Sequence, residues 1–326
     1  MEDDEFCFPK LFNSSCKKLK NSYAETLLIS FILCLVSLVT VSLNLLVIIS
    51  ISHFRQLHSP TNFFILSLAV SDFCVGLLLS FQIMILDGCW YLGDLMCLLY
   101  YVLDIIITSM SVGNMVLISI DRYLAICNPL QYRYKVTQKR AQICVSVCWI
   151  SCLFYVVVLL RNNLKKPGKF NSCYGECVII AGLNEYIVDV IFVLIIPVIV
   201  IIVLYLRVFI VVVSQVQAMK SQISAVTYQH SSKVRICKSE IKAAVSLGVV
   251  VVMFLVCLCP YYCVLFIGQN TIYNTLSTAI VLCVFYFNSC LNPLIYAFFY
   301  PWLRRAIRVI VTFRILRSGS SHANLL

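Results

Sequence analysis

Apolar residues run along this chain in seven long blocks separated by short polar stretches, roughly 24–52, 61–86, 94–127, 141–160, 183–213, 241–267 and 273–299. A block of about 20 apolar residues is long enough, as a helix, to cross a hydrocarbon core about 30 Å thick. Lipid offers the backbone no hydrogen-bond partner, so each block must be helical. The pattern predicts an all-α membrane protein, a seven-transmembrane helix bundle. After the last block, Pro301 to Phe313 alternates Arg304, Arg305 and Arg308 with apolar residues, as a short amphipathic eighth helix at the membrane surface does. The expected organisation is an extracellular N-terminus over 1–23, a seven-span bundle over 24–300, and an amphipathic helix with a cytoplasmic tail over 301–326. There is no internal repeat and no low-complexity segment.

Composition agrees: 61% of residues are hydrophobic and 12% charged, whereas soluble domains carry about 25% charged residues. Charge sets the orientation. With the N-terminus outside, seventeen Lys and Arg fall on the cytoplasmic side and eight, from Lys10 to Lys20 and from Arg161 to Lys169, fall outside, together the 25 of the chain. Basic residues favour the cytoplasmic side. The net charge of +11 then reflects topology, and nucleic acid is excluded as a partner; the partner is the bilayer. Asn13-Ser14-Ser15 is a glycosylation sequon that agrees with an outer N-terminus. The expected location is the plasma membrane, as a multi-pass chain with its N-terminus outside.

Most of the 18 cysteines lie inside spans, where a thiol acts as a small hydrophobe. Those with an oxidising address are Cys7, Cys16, Cys97, Cys173 and Cys177, with Cys89 a further candidate. All four histidines, His53, His58, His230 and His322, lie outside the spans, and no nucleophile or metal constellation is present, so the chain does not read as an enzyme.

Three acids sit well inside spans: Asp72, Asp104 and Asp189. A carboxylate at that depth costs several kcal/mol unless it faces the bundle interior and finds partners. No Lys or Arg lies at matching depth, so neutralisation must come from water, an ion, a ligand or a proton. Asp104 lies seven residues after Cys97, about 10 Å below the outer end of the third span. Asp189 lies eight residues before Pro197, in the outer half of the fifth, so both acids fit one cavity. Tyr261, Tyr262, Phe285 and Tyr286 offer aromatic faces, good hosts for an ammonium group. Two carboxylates sharing a cavity with no protein cation favour a dication of about five carbons, able to span helices whose axes lie 8–10 Å apart or somewhat more.

In order and spacing, Asp121-Arg122-Tyr123, Trp149, Pro197, Phe254-x-x-Cys257-x-x-Pro260 and Asn292-Pro293-x-x-Tyr296 resemble the rhodopsin-like G-protein-coupled receptors over nearly the whole chain. More narrowly, Ser52 to Asn62 and Asn288 to Trp302 resemble trace amine-associated receptors. The resemblance implies a receptor that binds a small amine, a diamine or polyamine by the charge argument, at Asp104, Asp189, Thr108, Tyr261, Tyr262 and Tyr286. It implies coupling to a heterotrimeric G protein of the stimulatory, cyclic AMP-raising type and an olfactory role. It implies no cofactor beyond an allosteric sodium ion at Asp72, Ser111, Asn288 and Asn292. A switch of Asp121, Arg122, Tyr123, Tyr205, Glu240 and Tyr296 is expected at the inner end. Disulfides Cys97–Cys177 and Cys16–Cys173 are implied, while Cys7 has no assigned partner. The chain departs from the family at Leu258, where a Trp is usual two residues before the sixth-span proline, and at Leu303, where Phe is usual. Leu258 keeps open an orphan or non-signalling role, and a monoamine held by Asp104 alone is the other alternative.

Overall fold

The computed structural model describes residues 5–11, 14–18, 23–180, 182–223, 248–249, 251–264, 275–316 and 320–322. Among them, six helices are long and apolar enough to cross a membrane, and the shorter apolar helix Val251–Val264 occupies the place of the sixth predicted block. The spans are Tyr23–His53, Pro60–Asp87, Gly93–Cys127, Gln138–Leu159, Leu183–Ile223 in three joined pieces, Val251–Val264 and Thr275–Phe299. The fifth runs about ten residues past its predicted end because Ser214, Gln215 and Gln217, though polar, do not break the helix. Asn13 and Glu240 lie outside the described residues.

Local signals set the ends. Ser59 accepts a hydrogen bond from the Asn62 N–H at 3.2 Å, with Pro60 in the first helical position, so the second span starts there. Gly88, in the left-handed conformation at φ 79°, closes its other end. Thr137 caps the fourth span in the same way through the Arg140 N–H. Inside the fifth, Pro197 has no N–H and crowds the carbonyl four residues before it. The chain answers with a π-helical turn, Val190–Ile195, in which the Ile196 N–H bonds the Ile191 carbonyl five residues back. One extra residue in a turn rotates everything before it by about 100° relative to a regular helix, and Asp189 is the residue immediately before that turn.

The bundle is apolar outside, and within its apolar core it buries clusters of polar groups. Phe154, Phe209 and Phe298 are largely exposed, toward lipid, while Asn44, Asp72, Asn114 and Asn292 are buried. The third span is central, touching the second, fourth and fifth; the first packs on the second and seventh. Asn44 donates to the Ser289 carbonyl at 3.0 Å and so ties the first span to the seventh. The eighth helix, Pro301–Val311, buries Leu303 and Ala306, the latter against Phe54 and Leu57. Arg304 donates to the Ala297 and Phe298 carbonyls, capping the last turn of the seventh span with a cation.

Three disulfides stitch the outer end: Cys97–Cys177, Cys16–Cys173 and Cys7–Cys89. The third supplies the partner of Cys7 that the sequence leaves unassigned; spacing alone cannot choose among pairings. Phe6 bridges Lys17, Ser15 bridges Tyr174, and the Trp90 N–H bonds the Gly175 carbonyl at 2.7 Å. The described part of the N-terminus is thereby fastened to the outer loops that follow the second and fourth spans.

The first span packs tightly against the second at Gly76. A Cβ there would lie 2.9 Å from Val41 Cγ2 and 3.1 Å from the Val41 backbone nitrogen. At Gly113 a Cβ would meet only Cys148 Sγ, a side-chain tip that can turn away. Overpacking costs about 1–3 kcal/mol, against about 1 kcal/mol gained in helix propensity. Gly76→Ala should therefore lower the melting temperature in detergent more than Gly113→Ala; equal shifts in thermofluor scans would contradict this packing.

Candidate binding cavity and switch

A cavity of about 100 Å³ opens among the third, fifth, sixth and seventh spans. Asp104, Thr108, Asp189, Tyr261, Tyr262 and Tyr286 all line it, so the six residues singled out from sequence stand around one space. Its size is below the usual ligand-pocket range of about 300–1,000 Å³ and suits a thin chain rather than a fused ring system.

The two acids are held differently. Tyr286 donates to Asp104 Oδ1 at 3.2 Å. Asp189 accepts from Tyr155 at 2.5 Å on Oδ1 and from Tyr262 at 3.2 Å on Oδ2. Thr108 turns its hydroxyl back to the Asp104 carbonyl at 2.7 Å, an in-helix bond that leaves the Asp104 carboxylate to Tyr286 and the cavity. Between the acids runs an unbroken series of rings. Tyr262 meets Tyr261 at 5.4 Å, Tyr261 meets Phe285 at 4.6 Å, and Phe285 meets Tyr286 at 5.2 Å. The wall connecting the two carboxylates is therefore aromatic, and no Lys or Arg among the described residues lines it. Tyr155 was not legible beforehand: in the fourth span it looks like any apolar-tolerant tyrosine, and only the turn of the fifth helix brings Asp189 to it.

Asp72 is fully buried. Its Oδ1 accepts from Ser111 at 3.0 Å and Ser289 at 2.9 Å, and its Oδ2 accepts from Asn292 at 2.8 Å. Ser289 is a member the sequence reading missed, although its place beside Asn288 was a signal. Asn288 instead faces the cavity, and its Oδ1 has no hydrogen-bond partner among the described residues.

At the inner end, Arg122 pairs with Asp121 at 2.5 Å and also bonds Thr61. Asp121, 1% exposed at its side chain, further accepts from Thr61 at 2.8 Å and from Tyr132 at 2.8 Å. Tyr132 belongs to a short helix, Pro129–Lys135, outside the spans. Burial, with the Asp121 carboxylate beside it, pushes its hydroxyl up to about 12, so it stays protonated and donates. Thr61 and Tyr132 were not singled out from sequence. Tyr123 packs by Ile126 and Val208, and the Tyr205 ring lies against Gly248. Tyr296 is buried with its hydroxyl unpartnered among the described residues.

A helical bundle with buried polar clusters, an acid-lined outer cavity and an Arg–Asp pair at the opposite end defines a seven-span membrane receptor. The family profile described as 7 transmembrane receptor (rhodopsin family) matches residues 43–296. Trace amine-associated receptor 8a of Rattus norvegicus is 37% identical, covering 98% of this chain and 96% of its own length. Trace amine-associated receptor 7e of Mus musculus is 36% identical, covering 98% and 92%. The chain belongs to the rhodopsin family of seven-transmembrane receptors and, within it, to the trace amine-associated receptors. It is a multi-pass plasma-membrane receptor and not an enzyme.

Asp121 is the carboxylate paired with Arg122 at the inner end. Asp121→Asn should raise ligand-independent signalling at matched surface expression, since the resting and open states of such a switch differ by only a few kcal/mol. Tyr132→Phe, which removes one of several donors to Asp121, should raise it far less. Unchanged basal output in Asp121→Asn cells would count against this restraint.

Proposed function

We propose that the chain is a receptor for small extracellular diamines or polyamines, with one ammonium on Asp104 and a second on Asp189. The observation that carries this is the shared cavity: two carboxylates, an aromatic wall between them, and no lining cation. An ammonium on either acid lies over ring faces, where cation–π attraction adds to charge pairing. The relatives are named for trace amines, which agrees with an amine ligand.

The signal then passes to a heterotrimeric G protein, of the stimulatory, cyclic AMP-raising type, through release of Arg122 from Asp121 and from Glu240; an olfactory role follows the same resemblance. A sodium ion at Asp72, with Ser111, Asn292 and Asn288 contributing oxygens, favours the resting state, hard oxygen donors suiting such a cation.

A second reading has its own support. Asp189 already accepts two tyrosine hydroxyls, which would satisfy it if the ligand were a monoamine on Asp104 alone. Substitution separates the two. Asp104→Asn abolishes amine responses under both readings, because an uncompensated buried partner costs roughly 3–5 kcal/mol, more than a hundredfold in potency. Asp189→Ala is decisive. Under two-point binding, diamine potency in cyclic AMP assays collapses while a monoamine of similar length becomes as good or better. Equal losses for both amines, or no change, would leave Asp189 a structural residue.

A further inference from the structure

The cavity does not stop at the two outer acids. Along the sixth span it is lined by Tyr262, Tyr261, Leu258 and Phe254, and along the third from Asp104 to Ser111 and Val112. Eight residues of helix separate Phe254 from Tyr262, so the cavity extends about 12 Å into the bundle. At its inner end the lining is polar again: Ser111, Asn288 and Ser289. Asp104 and Ser111 are seven residues apart, two turns on the same face of the third span, about 10 Å. A thin ligand anchored on Asp104 can therefore reach Ser111 by following one helix face.

Resting on the amine reading above, we propose that Ser111, Asn288 and Ser289 form an inner ammonium subsite, reached past Leu258, that takes the third nitrogen of a linear triamine. Ser111 and Ser289 both give hydroxyl protons to Asp72 Oδ1, at 3.0 and 2.9 Å. A hydroxyl that donates still has lone pairs to accept with, and donating to a carboxylate polarises its oxygen toward a cation. Asn288, 8% exposed, adds an oxygen with no donor among the described residues. Leaving such a buried oxygen unpaired is costly. An ammonium carries three N–H donors and no acceptor, which matches three acceptor oxygens in number and kind.

Charge points the same way. Asp72 stands directly behind the two serines, and its hydrogen-bond partners Ser111, Ser289 and Asn292 are all neutral. With Asp104 and Asp189 it makes three carboxylates along one path, so a trication balances what a dication leaves short by one. Leu258 is the side chain the ligand must pass. It is a branched aliphatic residue that lines the path, and a bulkier ring at that position would fill space the inner amine needs.

The test uses the full-length receptor in cell membranes, with the triamine bis(hexamethylene)triamine, whose two long spacers can cover both the outer pair and the descent to Ser111, and the diamine cadaverine as probes in competition binding. On the wild type, the triamine should bind about tenfold or more tightly than cadaverine, the effect of a charge-assisted hydrogen-bonded subsite. Leu258→Trp, with Leu258→Phe as a milder alternative that keeps the protein at the surface, should cost the triamine at least about tenfold more than it costs cadaverine. Asn288→Leu should do the same. Replacing sodium in the buffer by a bulky organic cation gives a second readout. It should tighten the triamine more than cadaverine, because an ion on the same oxygens excludes the inner ammonium. A triamine no tighter than cadaverine, equal losses in Leu258→Trp, or equal sodium shifts would each overturn the inner subsite while leaving the diamine reading intact. Failure of cadaverine on a wild type that binds the triamine in a Leu258→Trp-sensitive way would instead overturn the outer pairing and leave the subsite standing.

Discussion

A carboxylate inside a hydrocarbon slab must be matched by donors or by positive charge, and this chain supplies no buried lysine or arginine at the depth of its three intramembrane acids. The polar groups around these acids meet that requirement in three different ways. Asp72 meets it with hydroxyls and an amide from the third and seventh spans. Asp189 meets it with phenols from the fourth and sixth. Asp104 has a single phenol at 3.2 Å and is the least satisfied of the three. The donors come from different helices in each case, so the acids also act as tie points between spans that lipid-like apolar packing alone would leave weakly specified.

The inner end repeats the solution with a real cation. Asp121 is nearly inaccessible, yet it pairs with Arg122 and accepts from Thr61 and Tyr132 besides. Such a pair is expensive to bury and is kept only with several hydrogen bonds around it. The outer acids lack that cation. The asymmetry divides the receptor into an end that awaits positive charge and an end that already contains it.

The fold was legible because its signal is coarse. Long apolar blocks, a Ser-Pro start for the second span and the seven-residue reach from Cys97 to Asp104 are all one-dimensional features that survive into three dimensions. The six residues expected around an amine do line one cavity, since intramembrane charge and aromatic clustering are rare enough to stand out in a string of letters. What stayed hidden depends on rotation and on pairing across the chain. Tyr155 reaches Asp189 only because the π-helical turn at Val190–Ile195 resets the face of the fifth span. Ser289 rather than Asn288 faces Asp72, a difference of one residue, or about 100°, on the seventh helix. Thr61 and Tyr132 find Asp121 from the start of one helix and from an inner loop, with nothing in their immediate sequence to announce it. Cys7 could not be matched to Cys89 by counting.

The three outer disulfides have a consequence for how the protein is made. Six cysteines admit fifteen complete pairings, and the native one links residues 80, 82 and 157 positions apart. The Cys16–Cys173 link spans four of the membrane helices, so its second half reaches the lumen only after most of the bundle has been threaded. By then Cys7, Cys16, Cys89 and Cys97 are already there and free to join wrongly. Native pairing of the six therefore depends on thiol exchange in the secretory pathway, which can undo wrong pairs until the last cysteine arrives.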